Sequence, residues 1–240
     1  MKNILIIFLC GSALNAQSLE DPNNSPLHII SIIKPKIIEQ STFGFDSSWV
    51  DSLKLQLPCK NVFVPKRIMR LPNAPRDYRN GTHRGIDFFA NWGTPVQTVA
   101  PGVVIRADHY FKEVPPTFRE DLLQTSAKVG HTPSDIFSNV LLGRAIFIDH
   151  GFDLVPGFRS ITIYAHLSSI EKNILPGNII EQGTLIGHSG NTGIRESTLG
   201  SRDGSHLHWE MILMKDGLEI YLGKDIPNPG LYKMLNRIFG

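Results

Sequence analysis

The sequence predicts a mostly β fold with a small helical insertion, and three observations support this prediction. Short apolar runs, many of them β-branched, are separated by turns, because the chain contains 21 glycines and 16 prolines. The β pattern is interrupted at residues 109–143, where helix-start and helix-stop signals replace it. With 240 residues, the chain is long enough to bury a sizeable core.

Residues 1–16 have the features of a secretory signal peptide. A positive charge at Lys2 precedes a short apolar stretch, Ile4–Leu9, and a segment of small residues that ends at Ala16. The alternative is a buried N-terminal strand. The apolar stretch is too short to anchor the chain in a bilayer, so we expect no stable membrane span after signal cleavage. We therefore expect an exported protein, periplasmic or secreted into the cell envelope.

Charge and cysteine content exclude other classes of protein. The formal net charge is +2, and no basic cluster is interleaved with aromatic residues, so we expect no nucleic-acid partner. Cleavage after Ala16 would remove Cys10 and leave Cys59 alone, which excludes an internal disulfide. We interpret Cys59 as a buried apolar residue. We also expect a monomer.

The chain divides into an extension, a main domain and a tail. Residues 17–60 show little periodicity, and we interpret them as an N-terminal extension that packs on the main domain or covers its cleft. Residues 61–225 form the predicted main domain, and residues 226–240 form a C-terminal tail.

Several strands are predicted within the main domain. Val96–Ala100 and Val103–Ala107 flank Pro101-Gly102, a pattern that predicts a tight hairpin. Three further strands are predicted at Ala145–Asp149, Ser160–Ala165 and Leu207–Leu213.

The insertion carries two predicted helices. Thr117 and Glu120 have the spacing of a capping box, and Gly130 marks the end of that helix. Thr132 begins a second helix, with Pro133 at its first position. We expect the insertion to be either a packing decoration or a wall of the substrate cleft.

A histidine pair near the C-terminus has the pattern of a ligand-bearing strand. Side chains alternate faces along a strand, so His206, His208 and Glu210 share one face while the intervening apolar residues face the core. Two histidines on one face, backed by an apolar face, are well placed to present ring nitrogens to one metal ion. An HxH pair alone occurs by chance in many chains.

A second motif supplies further ligands. His83 and Asp87 would lie roughly 13 Å apart on a straight strand, whereas zinc lies about 2 Å from each ligand. We therefore expect a bend near Gly85. His83, Asp87 and His208 form a His/Asp/His set that suits zinc with a fourth position open to water. Five histidines are interpreted as structural or surface residues: His28, His109, His131, His150 and His188.

Taken together and in order, these motifs resemble the M23 peptidases, the zinc endopeptidases of the lysostaphin or LytM type. The resemblance covers residues 75–215. The residues that carry it are His83–Phe88, Gly93–Val96, Ala100–Val104, Asp149–Gly151, Tyr164–Leu167, Gly190–Gly193 and His206–Glu210.

The resemblance implies a compact antiparallel β-sheet with a metal in a groove. It implies that His83, Asp87 and His208 bind zinc, and that His166 and His206 are catalytic histidines that do not bind the metal. It also implies hydrolysis of peptide bonds in bacterial peptidoglycan by a metal-activated water. Which bond is cut, in a cross-link or in a stem peptide, stays open.

The sequence departs from the family pattern in two places. The insertion is longer than the usual connection, and the stretch Ile194–Ser205 is also longer, with Ser205 where the family usually has proline. Both are expected to border the cleft. Tyr78 is a candidate oxyanion donor. The alternative function is a non-catalytic or latent M23-fold protein that binds cell-wall peptide or regulates a partner hydrolase.

Overall fold

A computed structural model describes residues 44–240. The predicted signal peptide and residues 17–43 of the predicted extension lie outside these described residues. Within the described range, no helix combines the length and the apolar character that crossing a membrane requires.

Antiparallel strands make up most of the regular structure. Between residues 44 and 240 the strands are β1 Pro75–Arg76, β2 Gly81–Thr82, β3 Ile86–Phe88, β4 Pro95–Gln97, β5 Gly102–Ala107, β6 Ile146–Asp149, β7 Arg159–Ala165, β8 Leu167–Ile170, β9 Ile179–Ile180, β10 Leu185–Ser189, β11 Leu207–Lys215 and β12 Leu218–Tyr221.

The largest sheet has the strand order β12-β11-β7-β6-β5-β9, and β3 joins it by pairing with β11. A second sheet has the order β4-β10-β8, and β1 pairs with β2. Every one of these pairs is antiparallel. The predicted mostly β, antiparallel fold is therefore confirmed.

Strand β11 is central to the architecture. Its residues Leu207, Trp209 and Met211 are buried on the core face, as the alternating pattern predicts. β11 pairs with β7 along one edge and with β3 and β12 along the other. This register sets His208 opposite Asp87, so two predicted ligands meet across one strand pair.

The predicted hairpin at Pro101-Gly102 is wrong. β4 pairs with β10, whereas β5 pairs with β6 and β9, so the two strands lie in different sheets. The backbone between them is bonded elsewhere: the Thr98 N–H donates to the Thr184 carbonyl at 3.0 Å, and the Val99 N–H donates to the Tyr164 hydroxyl at 2.9 Å. These long-range hydrogen bonds override the local turn preference.

The helices are α1 Pro116–Val129, α2 Ser134–Ile136, α3 Arg195–Thr198 and α4 Gly230–Phe239. Short 3-10 helices span Ser47–Val50, Ile68–Arg70 and Asp77–Arg79, and a π-helical turn spans Phe137–Leu141.

The two helices predicted within the insertion are present, but their starts differ from the prediction. α1 is capped by Pro115 and begins at Pro116, so Thr117 lies inside the first turn and is not the cap. Proline fits the first helical position because its φ is already fixed near the helical value. Gly130 ends α1 with φ of 84°, as expected. α2 is capped by Pro133, so Thr132 does not begin it.

The described part of the predicted extension packs into the main core. Val50, Leu53, Leu55 and Cys59 are buried, and the Leu55 N–H donates to the Ile238 carbonyl at 2.8 Å. Burial raises the pKa of the Cys59 thiol to about 12, which agrees with its interpretation as an apolar core residue. The domain boundary at residue 60 stays a prediction.

The predicted tail contains a helix that completes the core. In α4, Leu231, Leu235 and Ile238 are buried at helical spacing, which makes one apolar face. The Phe239 ring packs edge-on against Trp209, with ring centroids 5.1 Å apart. Each such side chain contributes about 1.5–3 kcal/mol when fully buried. α4 therefore supports β11 from the side opposite to its histidines.

Candidate metal centre and cleft

The three predicted ligands converge on one point. His83 Nε2 lies 2.9 Å from Asp87 Oδ1 and 3.1 Å from His208 Nδ1, and His208 Nδ1 lies 3.0 Å from Asp87 Oδ1. Four ligands arranged tetrahedrally about zinc at 2.0–2.1 Å would be roughly 3.3 Å apart. This His/Asp/His cluster therefore fits a metal ion such as zinc.

The expected bend at Gly85 is present, and the structure gives a second reason for the glycine. The chain bends at Gly85 between β2 and β3, which brings His83 back toward Asp87. A Cβ atom at Gly85 would lie 2.5 Å from the Trp209 carbonyl oxygen and 2.7 Å from His208 Cε1. Any side chain here would collide with β11 and with a candidate ligand.

Each ligand histidine is oriented by a hydrogen bond from its other ring nitrogen. His83 Nδ1 donates to the Leu71 carbonyl at 2.9 Å, and His208 Nε2 contacts Glu210 Oε2 at 3.4 Å. These contacts leave His83 Nε2 and His208 Nδ1 directed at the cluster. Carbonyl and carboxylate partners of this kind hold metal-binding histidines in the correct tautomer.

Two arginines complete the surroundings of the ligands. Glu210 is fully buried and pairs with Arg84 at 2.8 Å, while Asp87 Oδ2 pairs with Arg76 at 3.3 Å. Arg76 therefore holds one carboxylate oxygen and leaves Oδ1 toward His83 and His208. Glu210 thus supports His208 from the same strand face, as their shared face predicts. Arg84 lies within the motif His83–Phe88 but was assigned no role from the sequence, and Arg76 was not singled out.

The pKa values follow from these contacts. Burial would raise the pKa of Asp87, but the charge of His83 and the hydrogen bonds from His208 and His83 hold it well below its ordinary value. Burial would lower the pKa of His208, but Asp87 and Glu210 raise it to about 9. The pKa of His83 is lowered, chiefly by burial. A carboxylate is thus available to a cation at neutral pH.

His166 and His206 form a pair beside the ligands. Their ring centroids are 4.7 Å apart, and His206 Nε2 lies 3.6 Å from Asp87 Oδ1. Each Nδ1 donates to a carbonyl oxygen, from His166 to Thr192 at 2.7 Å and from His206 to Gly204 at 2.6 Å. The two Nε2 atoms therefore carry the lone pairs, and either ring can accept a proton there.

His166 is held by an unusual backbone conformation. It follows the end of β7, has φ of 61°, and its N–H donates to the Leu142 carbonyl at 2.9 Å. Left-handed backbone is uncommon in residues other than glycine. Burial lowers the pKa of His166 well below its ordinary value, and burial also lowers the pKa of His206. Both rings are consequently neutral near pH 7.

All five predicted site residues line one cavity of about 160 Å³. The helical insertion forms a wall of this cavity through Arg119, Phe137, Leu141 and Leu142, so the insertion is more than a packing decoration. Ile194 from the second longer stretch also lines it. Tyr78, the candidate oxyanion donor, lies at the rim and is 56% exposed.

The insertion and the second longer stretch are bonded to each other. Glu113 Oε1 accepts hydrogen bonds from the Gly193 N–H at 2.9 Å and from the Ser197 hydroxyl at 2.5 Å. Arg119 Nε donates to the Gly193 carbonyl at 3.0 Å. The two departures from the family pattern therefore form one continuous wall.

The remaining described histidines lie outside this cavity. His150 is buried between the Pro101 carbonyl at 2.6 Å and the Thr162 hydroxyl at 2.8 Å, which fits its structural interpretation. His109 contacts the Ile174 carbonyl at 2.7 Å, and His188 lies 3.5 Å from Glu171. His28 lies outside the described residues.

Comparison with known proteins finds one family whose model matches part of the chain. Residues 125–220 match Peptidase family M23. No curated protein sequence matches the chain. Similar solved structures include a zinc-containing peptidase from Vibrio cholerae, with 20% identity over 77% of this chain and 40% of that chain and a TM-score of 0.38. The chain thus covers well under half of that peptidase.

Two further structures are similar at a comparable level. The catalytic domain of the antimicrobial peptidase lysostaphin from Staphylococcus simulans is 22% identical over 70% of this chain and 86% of that domain, with a TM-score of 0.34. Csd3 from Helicobacter pylori is 15% identical over 71% of this chain and 35% of that chain, with a TM-score of 0.33. The segment that matches the family model contains β7, His166 and the whole of β11.

Proposed function

We propose that this protein is a zinc metalloendopeptidase that hydrolyses peptide bonds in bacterial peptidoglycan. The observation that carries the proposal is the combination of a His/Asp/His cluster with two neutral histidines in the same cavity. Three ligands with an open position are typical of catalytic zinc, whereas structural zinc is normally closed by four ligands.

The metal would be held by His83, Asp87 and His208. When bound there, zinc would supply a Lewis acid and would lower the pKa of a bound water toward neutrality. The protein's own contribution is orientation, because the Leu71 carbonyl and Glu210 hold the rings of His83 and His208 toward the cluster before any metal arrives.

His206 and His166 are the proposed proton carriers. His206 Nε2 lies nearest to the ligand cluster, at 3.6 Å from Asp87 Oδ1, so we assign it the role of general base toward the attacking water. The protonated ring then delivers this proton to the leaving amine. His166 also presents an Nε2 lone pair, because its Nδ1 donates to the Thr192 carbonyl, so it is the alternative base. When its Nε2 is protonated as well, this ring can donate a hydrogen bond to the oxyanion.

The substrate assignment rests on the resemblance of the motifs to M23 peptidases, and export rests on residues 1–16. Purified zinc-loaded protein should release soluble peptides from isolated peptidoglycan, and mass spectrometry of the products identifies the bond that is cut. Intact peptidoglycan with full zinc occupancy would favour the non-catalytic alternative. N-terminal sequencing of the mature protein, recovered from the cell envelope, tests cleavage after Ala16.

A further inference from the structure

A buried arginine lines the cleft with unused hydrogen-bond donors. Arg119, on helix α1, is only 8% exposed and lines the same cavity as His166 and His206. Its Nε donates to the Gly193 carbonyl, but among residues 44–240 neither of its terminal nitrogens has a hydrogen-bond or ion-pair partner. Arg119 is thus a cation with free donors on the wall of the cavity, and an anion in the cavity would be stabilised by charge-assisted hydrogen bonds from it.

The other arginines of the cavity are already engaged. Arg76 pairs with Asp87, and its remaining donors reach the Met69 and Pro75 carbonyls. Arg79 donates to the Thr132 hydroxyl and to the Thr82 carbonyl. Arg119 is therefore the arginine that has donors to offer to a bound molecule.

Nearby carboxylates do not neutralise Arg119 by direct contact. Glu113 is bonded to Gly193 and Ser197, and Glu120 pairs with Arg195 at 3.5 Å. Burial lowers the pKa of Arg119, and electrostatic interactions with Tyr78 and Glu196 oppose this shift only in part. In the described part of the chain no carboxylate lies within ion-pair distance of its guanidinium. Among residues 44–240, Asp87 is the only carboxylate that lines this cavity, and it belongs to the proposed metal cluster.

We propose that Arg119 forms an anionic subsite of the cleft, which binds a free carboxylate of the substrate peptide close to the scissile bond. This inference rests on the proposed function and adds the class of substrate to it. An acidic peptide, such as a stem peptide with free carboxylates, is preferred over a neutral oligoglycine bridge. A guanidinium can donate two parallel hydrogen bonds to a carboxylate, which gives orientation as well as affinity.

The test compares two forms of one substrate. The substrate is a cross-linked stem peptide released from purified peptidoglycan. One form keeps its free carboxylates, and in the other form they are amidated with ammonia and a carbodiimide. For the wild type, we expect kcat/KM to be about 10–100-fold higher with the free carboxylates. For Arg119→Gln we expect this preference to fall to near one, and Arg119→Lys should retain part of it, because lysine keeps the charge but loses the planar fork.

Two controls separate a subsite from a structural role. Arg195→Gln removes an exposed cation from the same wall, and its preference should equal that of the wild type. Zinc content and thermal stability are measured for each variant. If Arg119→Gln does not fold, the residual preference of Arg119→Lys carries the test.

Binding is measured independently of turnover. In a His206→Ala background, calorimetric titration with the two peptide forms should show tighter binding of the free carboxylate. The proposal would be overturned if the wild type had the same kcat/KM for the free and the amidated peptides. It would also be overturned if the Arg119 variants kept the wild-type preference for free carboxylates. Should the wild type cleave neither form, the proposed function fails, and the titration still decides whether the subsite exists.

Discussion

The two sides of the cleft are built in different ways. The ligand side stands on paired strands: Asp87 and His208 face each other across β3 and β11, and Trp209 packs against helix α4 behind them. The opposite wall is made of α1, the π-helical turn and the stretch around Ile194, joined through side chains such as Glu113. The sheet positions the proposed metal ligands, whereas we expect the wall of short helices to tolerate changes in shape that do not move these ligands.

The largest expected effect tests the sheet side. Replacement of His208 by alanine removes one proposed metal ligand and leaves Asp87 and His83 without their shared partner. We expect loss of bound zinc and a fall in peptidoglycan hydrolysis to background, because the metal supplies several kcal/mol of transition-state stabilisation. Metal analysis and product release are the measurements. His188→Ala, outside the cavity, serves as the control, and a His208→Ala protein that keeps full zinc and activity would refute the site.

Replacement of His206 by alanine separates proton transfer from metal binding. His206 contributes no ligand atom to the metal cluster, so zinc content should match that of the wild type. We expect kcat to fall roughly 10²–10⁴-fold, the usual contribution of a general acid–base residue. The measurements are zinc stoichiometry and turnover on the same sample. Simultaneous loss of zinc would show that His206 belongs to the ligand set.

Replacement of Glu210 by glutamine tests the support behind the ligands. The substitution keeps the shape of the side chain but removes the charge that faces His208 and Arg84. We expect zinc affinity to fall about 10–100-fold, as is usual when such a partner of a ligand is lost. Competition with a chelator gives the affinity. An unchanged affinity would mean that the sheet alone orients His208.

Two separate glycines, one packed in the wall and one in open space, allow a test of how tightly the wall is packed. A Cβ at Gly193 would lie 2.5 Å from Gly143 N and 2.6 Å from the Leu141 carbonyl, whereas a Cβ at Gly177 meets nothing within 4 Å. Both glycines have positive φ, at 80° and 92°. Alanine should therefore cost about 1–2 kcal/mol at Gly177 from backbone strain alone, and roughly 1–3 kcal/mol more at Gly193.

The readouts for this pair are urea unfolding, zinc content and kcat/KM. We expect Gly193→Ala to lower kcat/KM several-fold at unchanged zinc, because the displaced wall no longer fits the substrate. Gly177→Ala should leave kcat/KM as it is. If Gly193→Ala loses zinc as well, the wall and the ligand side are not independent.

The difference between the strand-built ligand side and the helical wall also explains what could be predicted from the sequence. Alternation along β11 placed His206 and His208 on one face, and the reach of a zinc ligand required the bend at Gly85. The wall depends on contacts such as Glu113 with Gly193, which are 80 residues apart and leave no local pattern. Arg119 was missed for the same reason.

Two other misses have identifiable causes. The hairpin was predicted from the turn residues Pro101-Gly102 alone. In the structure, the hydrogen bond from the Val99 N–H to the Tyr164 hydroxyl directs the chain away from a hairpin. Helix α4 carries apolar residues at helical spacing, from Leu231 to Ile238, a signal that was present in the sequence but was grouped with the tail.

The left-handed backbone of His166 determines how this position should be probed. Alanine would remove the ring and also bear a cost of about 1–2 kcal/mol for keeping φ positive, so an alanine scan would mix a lost proton carrier with a distorted strand end. Asparagine tolerates this conformation well. His166→Asn therefore isolates the chemistry of the imidazole. The difference in stability between His166→Ala and His166→Gly, both of which lack the ring, gives the cost of the backbone conformation.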